Sequence, residues 1–190
     1  MESSSDSELI GRLLVASPRL SDPSFNRTVV FVLDHNPAGA LGLVLNRPTH
    51  VPVDEILAQW HEQALKALPA VIFSGGPVSP SAVIGLVRGS RGNEPAGWHH
   101  VLGGVGTIDL SVHPDDQPTG LEGARLFSGY AGWESEQLDD EIGEGAWFLI
   151  DAVEGDLLTD QPDSLWHDVL QRQGGDLGLL ANYPPSPSVN

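Results

Sequence analysis

The dipeptide Asn-Arg occurs twice, as Asn26-Arg27 and Asn46-Arg47, at the two ends of a pair of apolar runs. A guanidinium presents a rigid planar fork of donors that fits a carboxylate or phosphate with two parallel hydrogen bonds. Thr28–Leu33 and Leu41–Leu45 are rich in β-branched, aromatic and aliphatic residues, and Asp34–Gly39 (DHNPAG) between them is turn-forming. The spacing predicts an antiparallel hairpin, in which the start of one strand lies beside the end of the next. Arg27 and Arg47 are therefore expected on one rim. Two further runs, FSGG at 73–76 and FSGY at 127–130, each end a predicted strand. If those strands are neighbours, their glycine ends meet at a rim as well. The resulting candidate site is Arg27, Asn46, Arg47, Ser74, Gly75, Tyr130 and Trp133. Its ligand would be a small anion or a partner's peptide. The competing expectation is that both arginines serve only in structural ion pairs, with Glu141 or Asp34 as a carboxylate partner.

Other chemistries find weaker support. Ser74 and Ser128 each follow a strand and precede a glycine, but Ile72 and Leu126 stand where a nucleophile elbow needs its first glycine. A hydrolase or transferase acting at the glycine-rich rim is the alternative functional reading. Ser74–Pro77 (SGGP) could offer backbone N–H groups to an anion. It lacks a P-loop lysine, and GGVG at 103–106 is no dinucleotide fingerprint. His99 and His100 are adjacent and would face opposite sides of a strand. His113, Asp115 and Asp116 make only a loose cluster, so no metal and no cofactor is expected. With no cysteine in the chain, disulfides and thiolate catalysis are excluded.

These residues need elements to position them, and Phe127–Asp151 (FSGYAGWESEQLDDEIGEGAWFLID) is the most informative stretch. Arg125–Tyr130 reads as a strand closing in glycines, with Gly129 and Gly132 allowing a sharp turn or close backbone approach. A helix is expected to open near Trp133, with Leu138 and Ile142 on one face and Gly143 at its end. Ala146–Ile150 follows as a buried strand. Within this stretch, GYAGWESEQLDDEI followed by GAW resembles the signature of the YqgE/AlgH family, UPF0301. Gly11–Pro48 and Ser74–Val78 (SGGPV) resemble further family motifs in matching order, and the likeness runs from about Glu8 to Asn182. The resemblance implies an α+β fold: a single domain with a strongly curved, partly closed, mostly antiparallel sheet flanked by about three helices. It implies no particular reaction, although some members carry the label of transcriptional regulator.

Elsewhere, Leu13–Ala16, Ala70–Phe73 and Ala82–Val87 read as strands, and Val101–Leu110 as one strand bent at its glycines. Val53–Lys66 predicts an amphipathic helix with Val53, Ile56, Leu57, Trp60 and Ala64 on its apolar face. Pro162–Gln173 predicts a last helix, stopped by Gly174-Gly175. Asp22 and Pro23 are expected to open a single helical turn that anchors Phe25 on the core. Arg88–Gly97 is expected to be a mobile loop, and His113–Gly123 a loop holding one helical turn.

At 190 residues and 40% hydrophobic content the chain is long enough for one sizeable core. The expected division is a disordered acidic N-terminus at 1–8, one domain at 9–182 and a proline-rich tail at 183–190. No run approaches the ~18 apolar residues of a membrane span, and the polar start is unlike a secretory signal. A cytoplasmic location and no membrane partner are expected. The formal charge of −17 is uneven. Residues 1–95 hold seven basic and nine acidic residues, whereas residues 96–190 hold two arginines against seventeen acids. Such a chain repels the phosphate backbone that dominates nucleic-acid affinity, so no direct nucleic-acid binding is expected. The reading is a non-enzymatic module that binds an unknown protein or small anionic ligand, with any regulation exerted through a partner.

Overall fold

The structure is a computed structural model, and it describes residues 9–89, 97–116 and 120–184. The N-terminal segment 1–8, most of the loop at 88–97 and most of the tail at 183–190, each expected to be disordered or mobile, lie outside the described residues. In chain order the strands are β1 (Arg12–Ala16), β2 (Val29–Asn36), β3 (Gly39–Val44), β4 (Pro48–Pro52), β5 (Val71–Ser74) and β6 (Val78–Gly89), then β7 (His99–Leu102), β8 (Val105–Ile108), β9 (Leu121–Glu134) and β10 (Trp147–Asp151). The helices are α1 (Val53–Leu57), α2 (His61–Ala64), α3 (Gln137–Gly143), α4 (Glu154–Leu157), α5 (Leu165–Gln173) and α6 (Gly175–Leu180). They are shorter and more numerous than the expected three.

Strand order is β10-β1-β2-β3-β9-β6-β8-β7, with β5 joining β4 and β9. Among the described residues only the β5–β9 pair is parallel. The long strand β9 is the seam of the curved sheet. Its end at Ala131–Glu134 pairs with β3, while Leu121–Ser128 runs along β6. Gly129, with φ at +70°, marks the break between these pairings.

The apolar runs exist because this sheet is covered on both faces, which favours continuous hydrophobic strands over alternating ones. Leu13, Val15, Val29, Phe31 and Leu43 pack under α4, α5 and α6 with Trp166, Val169 and Leu170. Their neighbours Leu14, Ala16, Val30, Val32 and Val44 pack on the opposite face with Trp133, Leu138 and Trp147. A third cluster joins Val53, Trp60 and Ala64 to Ile72, Val87 and Leu126.

Three expectations need correcting. The amphipathic run from Val53 is not one helix: Leu57 leaves helical geometry (φ −139°, ψ 70°) and a 3-10 turn, Ala58–Trp60, separates α1 from α2. That break lets the fully buried Trp60 reach the carbonyl of Leu110 at 3.2 Å, and it turns Ile56 out to 53% exposure. The predicted bent strand at 101–110 is a hairpin of β7 and β8, turning at Gly103 with φ at +58°. Trp133 does not open a helix. It stays in β9 opposite Ala40, and α3 begins only at Gln137. Among the described residues no helix is long and apolar enough to cross a membrane.

Candidate functional site

Arg27 lies in the turn between β1 and β2. Asp22 organises that turn: its carboxylate accepts from the Ser24 amide at 2.8 Å, and its carbonyl accepts from Phe25 at 3.0 Å and Asn26 at 2.7 Å. Phe25 pins it to the core, with its ring 6.1 Å from Trp133 and 5.6 Å from Trp147. Arg27 itself has φ at +53°, a left-handed conformation that costs a non-glycine residue about 1 kcal/mol or more. Asn46 over-determines it. That side chain, 5% exposed, accepts from the Val29 amide at 2.9 Å and donates to the Arg27 carbonyl at 2.9 Å. The second Asn-Arg pair thus fixes the first.

The Arg27 guanidinium stacks 4.3 Å over the Trp166 ring and donates to the carbonyl of Tyr183. Arg47 donates to the Asn26 carbonyl, and its burial lowers its pKa, although an arginine stays cationic at neutral pH. The expected structural ion pairs do not form. Arg12, Arg88 and Arg172 pair with Asp151, Glu154 and Asp156, but among the described residues no carboxylate lies within 4.0 Å of Arg27 or Arg47. Glu141 and Asp34 are engaged elsewhere, with Trp133 and Asn36 among their partners. Together Arg27, Asn46 and Arg47 line a cleft of about 340 Å³, closed by Asp163, Trp166, His167 and the segment Ala181–Pro184. Arg47 is also one wall of an adjoining cavity of about 190 Å³ that contains Ser74 and Gly76.

The rest of the candidate set is placed differently. The two glycine-ended strands are neighbours, with Phe73 beside Phe127 and Ser74 beside Ser128. Their glycines serve backbone contact. The Gly75 amide donates to the Ser128 carbonyl at 2.9 Å, and a Cβ on Gly75 would sit 2.3 Å from the Gly129 oxygen. The Ser128 hydroxyl donates to the Pro80 carbonyl. Tyr130 and Trp133 line a separate open groove of about 580 Å³ with Asp34, Asn36, Glu134 and Gln137, sharing no residue with the arginine cleft. There Trp133 is largely core, and its indole N–H donates to Glu141 at 2.9 Å.

Sequence reasoning missed Trp166, His167 and Tyr183, which reach the cleft from the far end of the chain with no local signal. It also missed Arg125. This residue is 1% exposed within β9, lies 4.4 Å over the Phe73 ring and donates to the carbonyls of Ala67, Leu68 and Thr159 at 3.2, 2.8 and 2.7 Å. Burial lowers its pKa to about 10, opposed by the attraction of Asp160. It holds the α2–β5 connection against the segment before α5. An arginine between the apolar neighbours Ala124 and Leu126 was the only hint.

Comparison with known proteins agrees with this architecture. A profile described as AlgH-like matches residues 13–178. A UPF0301 protein of Streptomyces coelicolor is 47% identical over 188 residues, covering 97% of this chain and 96% of the relative. A UPF0301 protein of Thermobifida fusca is 43% identical, covering 96% of each chain. Among solved structures, a crystal structure of a Corynebacterium diphtheriae protein is similar with a TM-score of 0.85 at 27% identity, covering 96% of this chain and 95% of the other. The solution structure of the AlgH protein from Pseudomonas aeruginosa is similar with a TM-score of 0.67 at 30% identity, covering 97% and 98%.

Proposed function

The chain belongs to the AlgH-like UPF0301 family, and for it we propose a non-enzymatic binding role in which the Arg27–Arg47 cleft takes an anionic group. One observation carries this reading: two guanidiniums face a common cleft, and among the described residues neither has a carboxylate partner, in a chain whose net charge is −17. In so acidic a protein an arginine has many carboxylates to choose from. Two that donate only to carbonyls keep donor capacity for an anion from outside. A charge-assisted pair is roughly twice as strong as a neutral hydrogen bond.

The cleft also limits the ligand. Its volume of about 340 Å³ is at the small end for ligand sites, so it suits one anionic group on a compact body or a peptide terminus. The Trp166 ring, itself buried, backs the Arg27 guanidinium and holds it in place. The acidic surface of residues 96–190 opposes duplex DNA. The groups present hold charge that a ligand already carries. His167 is bonded through Nδ1 to Asp168 at 3.0 Å, and the Ser74 hydroxyl lies in the neighbouring cavity. Binding therefore fits the geometry better than turnover, and a regulatory effect would pass through whatever carries the anion.

The test is a titration of the full chain with inorganic phosphate and phenyl phosphate, followed by amide and indole chemical shifts. Shifts should centre on Arg27, Arg47, His167 and the Trp166 indole. Arg47→Ala should weaken binding at least tenfold, as loss of a charged hydrogen bond of about 1.5–3 kcal/mol requires. Equal affinity in that variant, or no response at these residues, ends the reading.

A further inference from the structure

The cleft is roofed by a segment of the chain itself. After α6, Ala181 is buried against the core, whereas Asn182, Tyr183 and Pro184 are exposed. The Asn182 amide donates to Leu179 at 3.2 Å and the Tyr183 amide to Leu180 at 2.9 Å, which closes one turn. The Tyr183 carbonyl then takes the Arg27 donor that faces the cleft. Ala181, Leu177 and Leu180 hold α6 and its end to the core, but beyond Ala181 little else secures the chain, and Tyr183 is 50% exposed. Segments with few buried contacts open locally at low free-energy cost.

Beneath it lies an unmet polar group. Ser17 is 3% exposed, and among the described residues its hydroxyl has no hydrogen-bond partner. A buried hydroxyl without a partner is uncommon and calls for an explanation. Ser17 lines a gap of about 10 Å³ with Pro18, Asn26, Arg27, Tyr183 and Pro184. That volume is at the lower limit for one water molecule and excludes any larger ligand. Ser17 is thus enclosed between Arg27 and the C-terminal segment.

We propose that Asn182–Pro184 is a displaceable strap over the anion site, and that Ser17 is a binding residue which the strap conceals. The inference rests on the anion-binding reading above. An anion competes with the neutral Tyr183 carbonyl for Arg27 and is the stronger acceptor. Once the carbonyl leaves, the strap loses its hold on that side, and the Ser17 hydroxyl donates to the same anion. Ser17 then joins Arg27, which lines both the cleft and the gap, as a donor to the ligand, and the site opens only to a ligand able to displace the strap.

Hydrogen exchange and affinity in the full chain test the two halves separately, with phenyl phosphate as the probe. Saturating probe should speed exchange of the Tyr183 amide about tenfold, because its bond to Leu180 is lost with the strap. Ser17→Ala should weaken binding about fivefold to tenfold, as loss of one ligand hydrogen bond does, without lowering the unfolding midpoint. If phenyl phosphate binds the natural chain and is lost on Arg47→Ala, yet Tyr183 exchange is unchanged or slower, the strap is overturned and the anion reading survives. Unchanged affinity in Ser17→Ala overturns the role of Ser17. Absence of binding to the natural chain overturns both the strap and the reading beneath it. The exchange measurement needs no variant, so poor folding of Ser17→Ala leaves the strap testable.

Discussion

Trp133 and Arg27 both stand at margins of one curved sheet, and Phe25 in the Arg27 turn touches the Trp133 ring. Their polar surroundings are nevertheless opposite in kind. Around Trp133 each strong group has a partner. Glu141 Oε2 accepts from the indoles of Trp133 and Trp147 at 2.9 and 2.8 Å, and Oε1 accepts from Gln137 at 2.9 Å. Gln137 in turn accepts from the Glu134 amide at 3.0 Å. Among the described residues, the cations Arg27 and Arg47 bond only to neutral carbonyls and stack on an aromatic face. The first region is a closed network that holds α3 and β10 to β9. The second has charge left over. The difference shows that residue type at a rim says little about function until its partners are counted.

The comparison can be broken from either side. The largest effect should come from Glu141→Ala, which leaves two buried indole N–H groups unpaired. It should lower unfolding free energy in urea by about 2–4 kcal/mol while leaving anion affinity in the arginine cleft unchanged. A loss of binding in that variant would mean that the two regions are not independent. Gly75→Ala should come next, at about 1–3 kcal/mol, because its Cβ meets backbone oxygen that cannot move aside cheaply. A stable Gly75→Ala with altered ligand affinity would instead restore Gly75 to the binding site. Arg47→Lys keeps the charge and removes the planar fork. It should weaken phenyl phosphate binding about tenfold with little change in stability.

The smallest effect is at Asp168, beside the cleft. Its pKa is lowered first by the hydrogen bond from Ser164 and next by that from His167. A carboxyl whose folded pKa is depressed adds stability above its unfolded pKa of about 4, and that contribution fades as pH falls through the folded value. Ser164→Ala should therefore be slightly less stable than the natural chain at pH 7, and the difference should shrink in urea titrations below about pH 4. Solvent screening at this exposed site keeps the effect small. A gap that stays constant with pH would mean that the Ser164 hydroxyl acts through its bond to the Gln161 carbonyl alone.

Much of the sheet was legible in the sequence. The runs at Leu13–Ala16, Thr28–Leu33, Leu41–Leu45 and Ala146–Ile150 are all strands, with ends that agree to within three residues, because apolar β-branched runs bounded by turn residues are local signals. The meeting of the two Asn-Arg pairs followed from hairpin geometry, and the neighbouring of the two glycine-ended strands could be stated as a condition. Errors arose where distant packing overrode local preference. Trp60 draws its helix apart to reach the Leu110 carbonyl, and pairing with Ala40 holds Trp133 in a strand.

By itself, then, the sequence determined the strands, the turns, the family likeness and the charge imbalance, since each depends on neighbours along the chain. Only the tertiary structure decided which cations remain unmatched. Arg27 meets Tyr183 across 156 residues, and the Trp166 indole beneath Arg27 is fixed by the Ala16 carbonyl across 150. No local pattern reports partners at such separations, because side-chain pairing is settled by how the sheet closes and where the last helices dock.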